Sequence, residues 1–182
     1  PRRSRSVRHG LPGRFDRMLI DQTELIRKTP VCGGLKRETL QLVLSQSVQL
    51  EIPAGEFFFR EGEVGDCLFV IRCGTAVVQR TWQGQPIVLA RIKPGDCVGE
   101  MSLIDLQRRF ASVKAEQDCH VIRIPYTALM KLCQSDIEQY AMVMMNLGRE
   151  VSRRLRIAGE RLFRYQQELG QQWFDEELSI RA

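Results

Sequence analysis

The chain has 182 residues, 43% of them hydrophobic and 27% charged, with a formal net charge of +5. This is the composition of a soluble globular protein with one domain and an appendage, and no run of about 18 apolar residues offers a membrane-spanning helix. Six scattered cysteines without CxxC spacing and only two histidines, His9 and His120, make no zinc ligand set. Free, mostly buried thiols in a reducing cytoplasm are expected instead. No nucleophile–base pair, metal set or P-loop stands out, so an enzyme is not expected.

Residues 1–14 carry Arg2, Arg3, Arg5, Arg8 and Arg14 among Ser, Gly and Pro, and read as a basic solvated arm with no apolar leader segment. Phe15, Met18, Leu19, Leu25 and Ile26 recur at helical spacing, so a helix is expected to Lys28, ended by Pro30 and Gly33-Gly34. A second short helix is expected over Arg37–Gln46. Short β-strands follow over Val48–Ile52, Glu56–Arg60, Cys67–Arg72, Thr75–Trp82, Ile87–Ile92, Cys97-Val98, Ala111–Ala115 and His120–Ile124. Turn chemistry separates them, with Gln83-Gly84 as a hairpin candidate. The expected class is α+β, mainly β: an antiparallel β-roll or jelly-roll barrel with N-terminal helices. The domain is placed at 15–134 and a helical C-terminal segment at 135–182.

The stretch Gly95–Ala115, GDCVGEMSLIDLQRRFASVKA, carries the chemistry. Gly99 lets backbone N–H groups approach a ligand closely. The turn that begins at Glu100 presents N–H groups and a positive dipole end, suited to an anion. An arginine beyond the loop can pair with phosphate in fork geometry. Glu100 repels an anion, but it can accept a hydrogen bond from a neutral hydroxyl on the same ligand. An ordinary turn–helix–strand with solvated Arg108 and Arg109 is the structural alternative.

Gly99-Glu100-Met101-Ser102-Leu103, then Arg109 nine residues after Glu100, then Ala111-Ser112-Val113, resembles the phosphate-binding cassette of the cyclic-nucleotide-binding domain family. Pro53-Ala54-Gly55-Glu56, Arg60-Glu61-Gly62, Gly65-Asp66 and Gly74 extend the resemblance over roughly residues 26–164. It implies that Glu100 accepts a ribose 2′-hydroxyl and that Arg109 pairs with the cyclic phosphate. It further implies that the Met101 and Ser102 amides complete the cradle beside Gly99, Phe110 and Ala111. Val77 and Leu89 become wall positions near sugar or base, although both also suit plain core. The implied ligand is cyclic AMP or cyclic GMP, with no further cofactor. Leu106 and Arg108 depart from a frequent glycine and proline, and Phe110 from a small residue.

Ser135-Asp136 is a natural helix N-cap. From there Tyr140, Met144, Leu147, Val151, Leu155, Ala158, Leu162, Tyr165 and Leu169 recur every three or four residues. A helix over 136–170 is about 50 Å long, more than a small domain buries, so a homodimer through it is expected. Such a helix packed wholly on its own domain is the alternative. In the bacterial receptor branch that the chain resembles, a threonine–serine pair on this helix reads adenine. Aligned on Arg153-Arg154-Leu155, those positions are Ala158-Gly159, which leaves guanine, backbone reading, Arg156 or another side chain. A helix-turn-helix does not fit the dozen residues after Leu169, so sequence-specific DNA binding by this chain alone is not expected, and an effector domain or protein partner is.

Two other functions remain compatible with the sequence. Phe110 could fill the phosphate end and leave a ligand-free docking scaffold. Alternatively, Arg149, Arg153, Arg154 and Arg156 could hold cyclic di-GMP.

Overall fold

The computed structural model describes residues 22–180, so the basic arm and the first turns of the expected N-terminal helix lie outside the described residues. Helix α1 (Gln22–Arg27), a 3₁₀ turn (Pro30–Cys32) and helix α2 (Arg37–Ser45) lead into strands β1 (Val48–Ile52), β2 (Phe57–Phe59), β3 (Cys67–Cys73), β4 (Ala76–Trp82) and β5 (Gln85–Ile92). Then come β6 (Cys97–Val98), helix α3 (Met101–Asp105), β7 (Ser112–Ala115), β8 (Cys119–Pro125), helix α4 (Tyr126–Ser135) and helix α5 (Ile137–Ile180).

The strands make two antiparallel four-stranded sheets, ordered β1-β8-β3-β6 and β2-β7-β4-β5. This corrects the expected barrel. Each sheet keeps its own pair of edge strands, and no ladder joins one sheet to the other. Strand alternation reports which face is buried, not whether edges close, so eight short strands fit either arrangement.

One core lies between the sheets and includes Ile52, Phe59, Phe69, Ile71, Val98, Val113 and Val121. The other lies between the first sheet and the helices and includes Ile26, Leu40, Leu68, Val70, Ile122, Ile124, Leu132 and Leu147. Strand β3 serves both cores, which is why Cys67–Ile71 is an unbroken buried run rather than an alternating one. Each fully buried Leu or Ile here stabilises the fold by about 2 kcal/mol.

Gln83 and Gly84 both have positive φ, 49° and 79°, so the β4–β5 hairpin closes with the left-handed backbone pair that matches strand twist. Cys32, Cys67, Cys97 and Cys119 are buried, while Cys73 is exposed and Cys133 half-buried. Burial pushes the Cys32 thiol up to about 11, which keeps it protonated and unreactive.

Helix α5 has 44 residues and extends about 66 Å, well beyond the expected 136–170. Asp136 caps it: its Oδ1 accepts the Gln139 amide at 3.1 Å. The first half belongs to the domain. Val143 and Leu147 are buried in the helical core. The Gln139 side-chain oxygen accepts from the Lys36 amide (2.8 Å) and Thr39 Oγ1 (3.1 Å). Asn146 Nδ2 donates to the Val31 and Gly33 carbonyls. Further along, Leu155, Leu162, Phe163 and Tyr165 are exposed. The seam therefore divides: its start packs on its own domain and its continuation does not. Among the described residues, no helix is long and apolar enough to cross a membrane.

Candidate functional site

The cassette is built around Arg109. Its backbone is fixed first: the Arg109 amide donates to the Glu63 carbonyl and the Gly62 amide to the Arg109 carbonyl, both at 2.9 Å. The side chain then runs inward and is only 3% exposed. Nη1 donates to the Gly99 carbonyl and Nη2 to the Cys67 carbonyl, each at 2.7 Å. The guanidinium carbon lies 4.1 Å from the centre of the Phe59 ring, a cation–π contact in a desolvated place. Nε is buried and has no protein partner.

Two glycines make room for this side chain. At Gly99, φ is +89°, and a Cβ would lie 2.6 Å from Arg109 Nη1. At Gly65, a Cβ would lie 2.2 Å from Ser102 Cβ and 3.2 Å from the Arg109 guanidinium carbon. Gly65 stood in the sequence only as part of a loop motif. Its role, close approach of the 61–66 loop to the cassette, depends on a contact across 37 positions that no local pattern reports.

Glu100 precedes α3 with helical backbone angles and is 1% exposed. Its Oε1 accepts from Arg154 Nη1 at 2.9 Å, and its Oε2 is buried without a partner. Burial pushes its carboxyl up, and the Arg154 charge opposes that only in part. The first bonds of α3 run from the Leu103 and Ile104 amides to the Glu100 carbonyl, so the Met101 and Ser102 amides precede them and have no intrahelical acceptor.

Arg154, weighed in the sequence only as one of four arginines for a dinucleotide, was not expected at the cassette. It comes from α5, donates also to the Cys97 carbonyl, and shares Glu150 with Arg153. Burial raises the Glu150 carboxyl, but the hydrogen bonds from Arg153 and Arg154 outweigh it and hold the group below its usual range. Only the arginine cluster on the helix hinted at this network in the sequence.

The other expected residues are placed differently from one another. Ser102 and Ala111 are buried, whereas Met101 is exposed. Val77 on β4 is buried. Leu89 sits where the β4–β5 register slips between Val78 and Gln79, and its carbonyl accepts from Arg161 Nη1 of α5 at 2.8 Å. Phe110 turns outward: it is 52% exposed, with the Arg80 guanidinium 4.9 Å from its ring centre. Leu106, where a glycine is frequent, ends α3 with φ 56° and is exposed. The position therefore asks for left-handed backbone, which explains the glycine preference.

Among the described residues no group of three or more His, Cys, Asp or Glu could hold a metal ion. Two facing sheets, a cassette with a buried arginine and glutamate, and a long helix tied to that glutamate make up a domain of the nucleotide-binding-like regulatory class. The chain carries a domain of the cyclic nucleotide-binding domain family, whose sequence model matches residues 49–136.

The chain is 34% identical over 137 residues to the cyclic AMP receptor protein of Thermus thermophilus, covering 73% of this chain and 60% of the receptor. It also resembles the crystal structure of the Thermus thermophilus catabolite activator protein, with a TM-score of 0.64 and 32% identity, covering 74% of this chain and 62% of that one. A cyclic nucleotide-binding domain from Methylobacillus flagellatus shares the fold, with a TM-score of 0.68 at 24% identity, covering 76% of this chain and 79% of that one. The chain thus spans about 60% of the length of the receptor it matches.

Proposed function

We propose that the chain is the sensor portion of a cytoplasmic regulatory protein that binds a cyclic mononucleotide, cyclic AMP or cyclic GMP, and passes occupancy to α5. The observation that carries this reading is that, of the three buried side-chain atoms without a partner among the described residues, two, Glu100 Oε2 and Arg109 Nε, lie in the cassette, the third being Arg72 Nε. An unpartnered buried polar atom costs about 1–3 kcal/mol, and a ligand with a hydroxyl and an anionic group answers both. The ribose 2′-hydroxyl would donate to Glu100 Oε2. The cyclic phosphate would take Arg109 and the Met101 and Ser102 amides, with Gly99 and Ala111 leaving room. Val77 and Leu89 would flank the sugar and base. Arg154 and Arg109 together offset the repulsion between Glu100 and the phosphate.

Occupancy would reach α5 because Glu100 already holds Arg154. A hydroxyl arriving at Glu100 shifts the balance between two settings of the helix. The exposed stretch from Leu155 to Tyr165 would pair with a second copy, giving a homodimer whose output falls on an effector domain or partner protein.

Two features favour this reading over the alternatives. Phe110 lies outside the cassette under Arg80, so it does not fill the phosphate end. Arg149, Arg153 and Arg154 are engaged by Asn146 and Glu150, which leaves them poorly free for a dinucleotide.

Isothermal titration with cyclic AMP, cyclic GMP and cyclic di-GMP is the test. Saturable heat with a mononucleotide, reduced at least ten-fold in affinity by Arg109→Lys and by Glu100→Gln, is expected. Flat traces for both mononucleotides would defeat the reading, and a response to cyclic di-GMP alone would replace it.

A further inference from the structure

We infer that Arg161 reads the base and that the preferred base is a 6-oxopurine of the guanine type; the inference rests on the function proposed above. Beyond its packed first half, helix α5 meets the rest of the domain through two arginines along one face. Arg154 meets Glu100, and Arg161, seven residues further on, meets the Leu89 carbonyl. Seven residues are two helical turns, about 10 Å of axis. That is the scale separating a ribose hydroxyl from the far edge of its purine. A nucleotide whose ribose is held at Glu100 and whose base lies against β5 therefore runs beneath the helix from Arg154 to Arg161.

The side chains between these two arginines narrow the choice. Ala158 and Gly159 offer no hydrogen-bonding side chain. Arg156 is exposed and lies five residues from Arg161, on a different face of the helix. Arg161 is the α5 residue seen to reach the β5 wall, at the Leu89 carbonyl. Leu89 can receive it because the register slip between Val78 and Gln79 takes Leu89 out of the β4–β5 pairing. A guanidinium has five N–H donors and no acceptor. One is used on Leu89, which fixes the group in place and leaves the fork for a ligand.

That fork discriminates. Guanine presents two adjacent acceptors, O6 and N7, whereas adenine presents the N7 acceptor beside an N6 amino donor. A donor-only group pairs with both acceptors of the first and meets donor against donor at the second. Hydrogen bonding alone thus assigns Arg161 to a keto purine.

Titration of the 182-residue chain with cyclic GMP, cyclic IMP and cyclic AMP tests this, because inosine keeps O6 and N7 but lacks the 2-amino group. The expected result is that cyclic GMP and cyclic IMP bind about ten-fold or more tightly than cyclic AMP. Arg161→Ala should erase the difference by weakening the two keto ligands and sparing cyclic AMP. Arg161 is on the surface, so the variant folds, which circular dichroism verifies. Equal affinities in the wild type would overturn the inference and leave the nucleotide reading intact. So would an Arg161→Ala loss equal for all three ligands, which would mark Arg161 as a mere fastening of α5. No binding of any of the three would overturn both readings together.

Discussion

Glu100 and Arg154 stand 54 positions apart in the sequence and 2.9 Å apart in space. Their ion pair is the joint between the cassette and the long helix. It is asymmetric: the carboxylate is almost wholly buried, while the guanidinium is 28% exposed. Removing the cation strands a buried charge, whereas removing the carboxylate leaves an arginine that still has Glu150 and the Cys97 carbonyl.

Arg154→Ala is therefore expected to destabilise the protein by about 3 kcal/mol. Glu100→Gln, which keeps the shape and loses the charge, should cost clearly less. Urea denaturation of the two variants against wild type measures the difference. Equal losses would mean that the pair acts by packing rather than by charge.

The two carboxylates that share Arg154 should give opposite pH slopes. Glu150 is held below its usual range, so its contribution is complete above the ordinary carboxylate value and is lost as pH falls through its lowered value. Glu100 is raised, so the folded state binds its proton more tightly than the unfolded state does. Its contribution is complete below the ordinary value and is lost as pH rises through the raised one. Stability should then pass through a maximum in mildly acid solution. Thermal melts across pH should show the alkaline flank of that maximum flattened in Glu100→Gln and the acid flank flattened in Glu150→Gln. Nucleotide affinity should fall with acidification across the same window as Glu100 takes up its proton, because a protonated carboxyl is a weaker acceptor.

Two small substitutions on either side of α3 should move stability in opposite directions. Gly65→Ala places a methyl 2.2 Å from Ser102 Cβ, an overpacking expected to cost about 1–3 kcal/mol and to displace Arg109. Leu106→Gly relieves a left-handed φ at an exposed site and should stabilise by up to about 1 kcal/mol. Chemical denaturation reports both. A stabilised Gly65→Ala protein would show that the 61–66 loop is free to move away from the cassette.

The proposed dimer implies a dependence on concentration. Glu at both Leu155 and Leu162 places two charges on the exposed seam and should convert a dimer to a monomer in analytical ultracentrifugation without loss of fold. A wild-type chain that remains monomeric at tens of micromolar, with nucleotide present, would remove the seam as an interface.

How much of this was legible in the sequence depends on the distance over which each feature is decided. Strand limits such as Val48–Ile52 follow from local pattern and came out residue for residue. The unbroken apolar run of β3 marked a strand covered on both faces. The closure of the sheets was not legible, because hydrogen bonding at sheet edges leaves no trace in alternation. The sequence left Arg109 either folded back toward the cassette or solvated, and nothing in it pointed to the two carbonyl acceptors at Gly99 and Cys67. The parts played by Arg154 and Arg161 were also hidden. An arginine on a long helix looks the same whether it faces water or a carboxylate two elements away.

Helix α5 is one continuous rod from the domain core to Ile180, and the ion pair at Arg154 lies near its middle. From that residue about 39 Å of helix run on to Ile180, meeting the domain again where Arg161 donates to the Leu89 carbonyl. A rod of this length is a lever: a tilt of about 5° at the Glu100 joint, far too small to disturb the packing of Leu147, carries the far end about 3 Å sideways. Rearrangements of a few tenths of an ångström at a carboxylate would thus arrive at the tip of the helix as a displacement as wide as a side-chain contact.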